Sequence, residues 1–193
     1  MNVCIVVEEQ SDVDLLKRII PPERRQEVGF VRASRPTQYS AISAAQSVRS
    51  DHEVPIILLL DARTVDEESI LYHWPDTESL LMYGGPPLRA ELLFAVPELE
   101  VVLFHAPAEL ERLLGVRMTD EDRIEARFIP KKVLARLLER SGRFLDTAAL
   151  VAAIDEEAAK RLACHPLIRQ VVALLADLRE HPVPKELRYL LTG

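Results

Sequence analysis

Acidic residues stand where apolar runs stop. The run Ile56 to Leu60 ends at Asp61, the run Asn2 to Val7 ends at Glu8 and Glu9, and the run Glu91 to Val96 passes through Pro97 to Glu98 and Glu100. Carboxylates gathered in this way offer hard oxygen ligands to Mg²⁺ or Mn²⁺, and an ion so held can clamp the attacking and leaving oxygens of a phosphodiester. Glu8, Asp61, and either Glu98 or Glu100 are therefore candidate metal ligands, with Asp66 a further acid a few residues beyond Asp61. Read as an α-helix from Pro97, at ~100° per residue, the segment points Glu98 and Glu100 about 200° apart. At most one of the two then faces the cluster, and the sequence does not choose between them.

These acids can meet only if the elements before them are parallel strands. The central run is too short to span a membrane, is opened by Pro55 and is rich in aliphatic residues, which fits a fully buried strand. Before it come a strand at 2–7, a helix from the Ser11 N-cap to Ile20, a strand at 27–33 and a helix at 36–49. The β-α-β-α-β order implies a parallel sheet whose carboxyl edge collects the acids. Beyond Asp61, Thr64 and Glu67 can cap a helix that His73-Trp74-Pro75 interrupts and the Gly84-Gly85-Pro86-Pro87 turn ends, followed by a strand at 91–96. Later segments read as helices at 108–114, 130–140, 147–163 in one or two pieces, and 166–179, with a polar linker near 115–129. The expected architecture is an α/β domain over 1–106, a Rossmann-like parallel sheet flanked by helices, with a C-terminal helical region over 107–193 packing on it.

Each acid taken alone reads equally well as a helix N-cap. Three acids or pairs at one sheet edge carry more weight than any one of them. Asp12 and Asp14 read as capping and helix-dipole residues. Lys131 follows Pro130 at the head of a helix whose apolar face is Val133, Leu134, Leu137 and Leu138; it lies beside that face, whereas Lys132 projects away from it. Lys131 is thus the candidate lysine for a phosphate or leaving group.

Composition narrows the classes. At 193 residues, 48% hydrophobic and 28% charged, the chain is an ordinary globular one, and the Met1 end resembles a strand more than a signal peptide, so a cytoplasmic location is expected. Cys4 and Cys164 lack metal-ligand or redox spacing, and the five histidines form no ligand pair. No nucleophile elbow and no phosphate loop is present. A net charge of −7 argues against a wide nucleic-acid footprint but leaves room for local contacts. Leu167, Val171, Leu174, Leu175 and Leu178 form a stripe that packs on the sheet or on another subunit, so a homo-oligomer or a partner protein can use the C-terminal helices.

The stretch CIVVEEQSD followed by IILLLDAR resembles the Toprim family, the topoisomerase–primase fold shared with OLD-type nucleases and small bacterial Toprim-like proteins. The resemblance covers about residues 1 to 100. It places Glu8 at the family's catalytic position, Asp12 at its later Asp, and Asp61 at the first acid of its Asp-x-Asp pair. Arg63 stands where the second acid belongs, and a guanidinium cannot ligate a cation. AVPELEVVLF and the later Pro-Lys resemble the second half of stand-alone members, which implies site roles for Glu98 or Glu100 and for Lys131. The resemblance implies a Mg²⁺- or Mn²⁺-dependent nuclease, of a kind found in phage defence, with Glu8 as ligand or base and Asp61 as principal ligand. Two alternatives stand beside it. The first is a degenerate Toprim domain that binds nucleic acid or a protein without cleaving; the second is a receiver-like phosphoacceptor built on Asp61, which strand order is expected to separate from Toprim.

Overall fold

Four aliphatic segments form the strands of the computed structural model, which describes residues 2–26, 28–83 and 88–182. They are β1 (Val3–Val7), β2 (Val28–Arg32), β3 (Ile56–Asp61) and β4 (Ala90–Ala95), all parallel, in the order β2-β1-β3-β4. Glu27, expected to open the second strand, and the Gly84-Gly85-Pro86-Pro87 turn lie outside the described residues. β1 and β3 are buried along their whole length, because side chains alternate between two covered faces. Val3, Ile5, Val7, Ile57 and Leu59 enter one core, while Cys4, Val6, Ile56, Leu58 and Leu60 enter the other.

The second face is covered by α3 (Gln38–His52) and α4 (Glu67–Met82). The first is covered by α1 (Gln10–Ile19) and by a series of later helices, after a single helical turn, α2, at Pro22–Arg25. A 3-10 helix spans Leu99–His105, followed by α5 (Pro107–Leu114), α6 (Asp120–Glu125), α7 (Pro130–Ser141), α8 (Thr147–Ala152), α9 (Glu156–Leu162) and α10 (Pro166–Glu180). The helices after residue 106 share one continuous apolar core with the sheet, and α10 turns its leucine stripe onto β1 and β3. α5 and α7 end at Gly115 (φ 70°) and Gly142 (φ 61°), left-handed C-caps that glycine adopts without strain.

Local details depart from the sequence reading. α1 is capped at Glu9 and not at Ser11, because the Glu9 N–H donates to Asp12 Oδ2 at 2.9 Å. α4 is N-capped by Asp66, whose carboxylate accepts the Ser69 N–H at 3.3 Å, and it runs through Pro75 without interruption. The expected linker at 115–129 contains α6: Thr119 accepts the Asp122 N–H at 3.0 Å and Asp122 accepts the Thr119 N–H at 2.9 Å, a capping box within what reads as a polar stretch. Pro97 follows a cis peptide and does not open a helix; the 3-10 helix begins two residues later.

Strand order reverses between β1 and β3, since β1 continues to β2 and β3 to β4. The crevice at such a reversal, beyond the strand carboxyl ends, is where open parallel sheets bind ligands. Glu8 and Asp61 stand on its two sides.

Candidate functional site

Asp61 is the last residue of β3, 7% exposed, and every polar group it carries is used. Its N–H donates to Glu8 Oε1 at 3.2 Å, tying the end of β3 to the turn after β1. Its carbonyl accepts from Gln38 Nε2 at 2.8 Å, Oδ1 accepts the Leu99 N–H at 2.9 Å, and Oδ2 faces Lys131 Nζ at 3.3 Å. The expected pair of acids at the sheet edge is therefore real, and the hydrogen bonds of four segments converge on Asp61.

Lys131 projects from the first turn of α7 into these acids. Its ammonium lies 2.9 Å from Glu9 Oε1, 3.3 Å from Asp61 Oδ2 and 3.8 Å from Glu100 Oε1. Burial works against its charge, but the Glu9 hydrogen bond and the charges of Glu100, Asp61 and Glu9 outweigh that and hold its pKa above the ordinary lysine value. Glu98 accepts the Lys131 backbone N–H at 3.1 Å, so it satisfies one of the free amides at the head of α7.

Both glutamates of the Pro-Glu-Leu-Glu segment thus reach Lys131. The α-helical argument that only one could do so fails because Glu98 is an extended N-cap and the turn after it is a 3-10 helix. Glu100 is buried, and its Oε2 has no hydrogen-bond partner. Burial pushes its pKa up to about 8, against the pull of Lys131. Asp12 is likewise driven up to about 7, by burial first and then by the charge of Asp61. Glu8 is raised by burial as well, although Arg63 and the Asp61 N–H oppose the shift.

Arg63 is the residue that the sequence left without a settled role. Its guanidinium forms an ion pair with Glu8 Oε2, half-exposed on one side and facing a buried carboxylate on the other. Its backbone has φ 59°, in the left-handed region that L-residues rarely occupy, and is fixed there by its N–H donating to Pro97 O at 2.7 Å. Lys131 thus faces Glu9, Asp61 and Glu100 and Arg63 holds Glu8, while Asp12 and Glu98 join the same cluster through backbone N–H groups.

Asp66 is not part of this group. It is an exposed N-cap whose pKa is lowered by its hydrogen bond from Ser69. Glu9 was read as the second acid at the end of β1 but not as a site residue, and Gln38 was missed, since nothing in the sequence marks a glutamine at the head of α3.

An all-oxygen donor set with one unpartnered buried oxygen has the chemistry for Mg²⁺. The placement does not. Among the described residues no three His, Cys, Asp or Glu side chains form a group able to hold a metal ion, because the Lys131 ammonium occupies the middle of the cluster and Arg63 its flank. As arranged, the two side-chain cations take positions beside Glu8, Glu9, Asp61 and Glu100 that a divalent cation would need.

No helix among the described residues is long and apolar enough to cross a membrane. Comparison of the chain with protein-family models, with curated proteins and with solved structures finds no match.

Proposed function

We propose that this chain is a Toprim-like domain that binds the phosphodiester backbone of nucleic acid at the carboxyl edge of its sheet without cleaving it. The observation that carries the reading is the Arg63–Glu8 ion pair. A guanidinium stands where the Toprim pattern has its second metal-binding acid, and it engages the glutamate at the pattern's catalytic position. Such a pair removes a metal ligand and adds a phosphate-seeking group in one substitution.

The surroundings favour a phosphate partner. Arg32 pairs in register with Val7, and the next N–H, of Ala33, donates to Val7 O, so the loop from Arg32 to Arg35 lies at the same edge as Glu8. Arg63 reaches this loop through Pro36 O, at 3.4 Å. Arg32 and Arg35 are exposed and form no ion pair among the described residues. With the carboxylates beneath them partly neutralised by Lys131, the three arginines offer a short positive rim on an acidic protein.

The test is fluorescence anisotropy with labelled single- and double-stranded DNA and RNA, at low salt, with the native chain and with an Arg32→Glu/Arg35→Glu variant. Binding weakened by about tenfold or more in the variant supports the reading. No binding of any nucleic acid by the native chain overturns it.

A second reading, metal-dependent phosphodiester cleavage with Glu8, Asp61 and Glu100 around Mg²⁺ or Mn²⁺ and Lys131 on phosphate, is favoured by the unpartnered Glu100 Oε2. Incubating the same nucleic acids with either ion separates the two: cleavage lost in Glu8→Ala and Asp61→Ala supports the nuclease. The phosphoacceptor alternative draws less support. The order β2-β1-β3-β4 also begins the receiver-type order and does not discriminate, but Asp61 is 7% exposed with both oxygens engaged, which leaves little room for attack on a phosphodonor.

A further inference from the structure

We propose that the cleft between the 3-10 helix, α6 and the α9–α10 junction binds a nucleoside monophosphate. This cleft is distinct from the acid cluster: the 3-10 helix supplies Glu100 to the cluster, and Val101, Phe104 and His105 to the cleft. Its volume is about 340 Å³, at the small end of the roughly 300–1,000 Å³ of ligand pockets. That size suits a single base, sugar and phosphate, and it is too small for a nucleic-acid strand.

Two kinds of lining define the ligand. The apolar part is Val101, Phe104, Met118 and Ala126, a surface for a flat ring. The polar part is Arg123, Arg127, His105 and His165. The Arg127 side chain is exposed and forms no ion pair among the described residues, so its guanidinium is available for a phosphate. Arg123 beside it is held by Glu111 at 3.1 Å and Asp120 at 3.8 Å, with its own side chain half-exposed, an arrangement that positions the guanidinium without burying it.

His165 adds a ring N–H to the lining. Its Nδ1 accepts the Leu167 N–H at 3.2 Å, which places the proton of the neutral ring on Nε2. The His105 ring stands edge-on to it at 5.2 Å. An inorganic anion would leave the apolar part wet, and a purely apolar ligand would leave the guanidinium without a partner; a ring joined to a phosphate satisfies both.

The experiment is isothermal titration of the full chain with AMP, GMP, CMP and UMP, alongside adenosine and inorganic phosphate. At least one monophosphate is expected to bind with a Kd below about 1 mM, and about tenfold or more tighter than either fragment. Arg127→Glu is expected to weaken that binding by about tenfold or more and Arg127→Lys by less; because Arg127 is exposed, both variants are expected to fold. Absence of binding by every monophosphate, inorganic phosphate binding as tightly as the nucleotides, or full affinity in Arg127→Glu would each overturn the proposal.

Discussion

Arg63 grips Glu8 from a strained backbone. Its φ of 59° is stabilised by one hydrogen bond to Pro97 O, and the guanidinium then closes on the buried Oε2 of a glutamate 55 positions earlier in the chain. Strain of this kind costs on the order of 1 kcal/mol or more and persists where surrounding contacts over-determine it. Here those contacts are a buried charge that needs a partner and a backbone amide that needs an acceptor.

Replacing Arg63 separates the two terms. Arg63→Ala is expected to destabilise the fold by about 1–2 kcal/mol at neutral pH, a value held down by the exposed half of the guanidinium. Arg63→Gly loses the same ion pair but relieves the left-handed backbone, so it should be more stable than Arg63→Ala by about 1 kcal/mol. Urea unfolding of the two variants checks the order.

Lys131→Met leaves the Glu9, Asp61 and Glu100 carboxylates without their shared cation. A loss of about 2–3 kcal/mol is expected near pH 8. Lys131 has a raised pKa, so its own contribution is fully present below the ordinary lysine value and disappears only well above it. The pH dependence of the defect between pH 5 and 9 is therefore expected from Glu100, and the defect should shrink toward pH 5 as Glu100 takes up its proton.

Glu100 and Asp12 together give the native protein a pH dependence. Its folded pKa of about 8 lies above the unfolded value of 4.5, so the folded state binds the extra proton in that window and stability falls as pH rises from about 4.5 to about 8. Asp12, at about 7 against 3.8, acts in the same direction. Glu100→Gln removes its own share of the effect, comparable to that of Asp12, and its stability relative to the native chain should climb across the window by up to a few kcal/mol. Denaturation midpoints at pH 5, 6.5 and 8.5 provide the measurement.

Asp122 should show the opposite sign. It is buried in the α6 capping box and ion-paired to Arg136 at 2.9 Å and to Arg140. Although burial opposes its charge, the Thr119 and arginine hydrogen bonds hold its pKa well below the usual carboxylate value. The stability it contributes is present above the unfolded pKa of 3.8 and is lost as pH falls below it. Asp122→Asn is expected to cost about 2–3 kcal/mol at pH 7 and about 1 kcal/mol less near pH 3, since the loss is complete only below the lowered folded pKa, read by thermal unfolding at the two pH values.

Nucleic-acid affinity, if it rests on Arg32, Arg35 and Arg63, should fall with salt at a slope of about −2 to −3 in the double logarithmic plot, matching about three phosphate contacts. The Arg32→Glu/Arg35→Glu variant should flatten that slope to near −1. An unchanged slope would place the contacts elsewhere.

The sequence by itself determined the sheet and the identity of its edge. Aliphatic runs of five or six residues have no way to bury both alternating faces except as inner parallel strands, and acids that stop such runs come together at one edge because every strand points the same way. Glu8 and Asp61 were legible for that reason, whereas Lys131 and the leucine stripe of α10 were legible from helical spacing. Local capping was legible only in part: Asp66 stood out as an acid near Asp61, but a side chain that bonds its own helix amide is spent there, and spacing alone does not show that it is turned away from the cluster.

Tertiary structure decided which charges meet. Pairing of Arg63 with Glu8 depends on a left-handed residue and on Pro97 approaching from another segment, and neither is encoded within a few positions of Arg63. Convergence of both Glu98 and Glu100 on Lys131 follows from a 3-10 helix and a helix whose starts, Leu99 and Pro130, are 31 positions apart in the chain but close in space, so that one carboxylate accepts the backbone N–H and the other faces the ammonium. Coulomb energy falls off with distance and depends on burial, so the state of an acid cluster belongs to the folded arrangement, whereas its presence at the sheet edge belongs to the sequence.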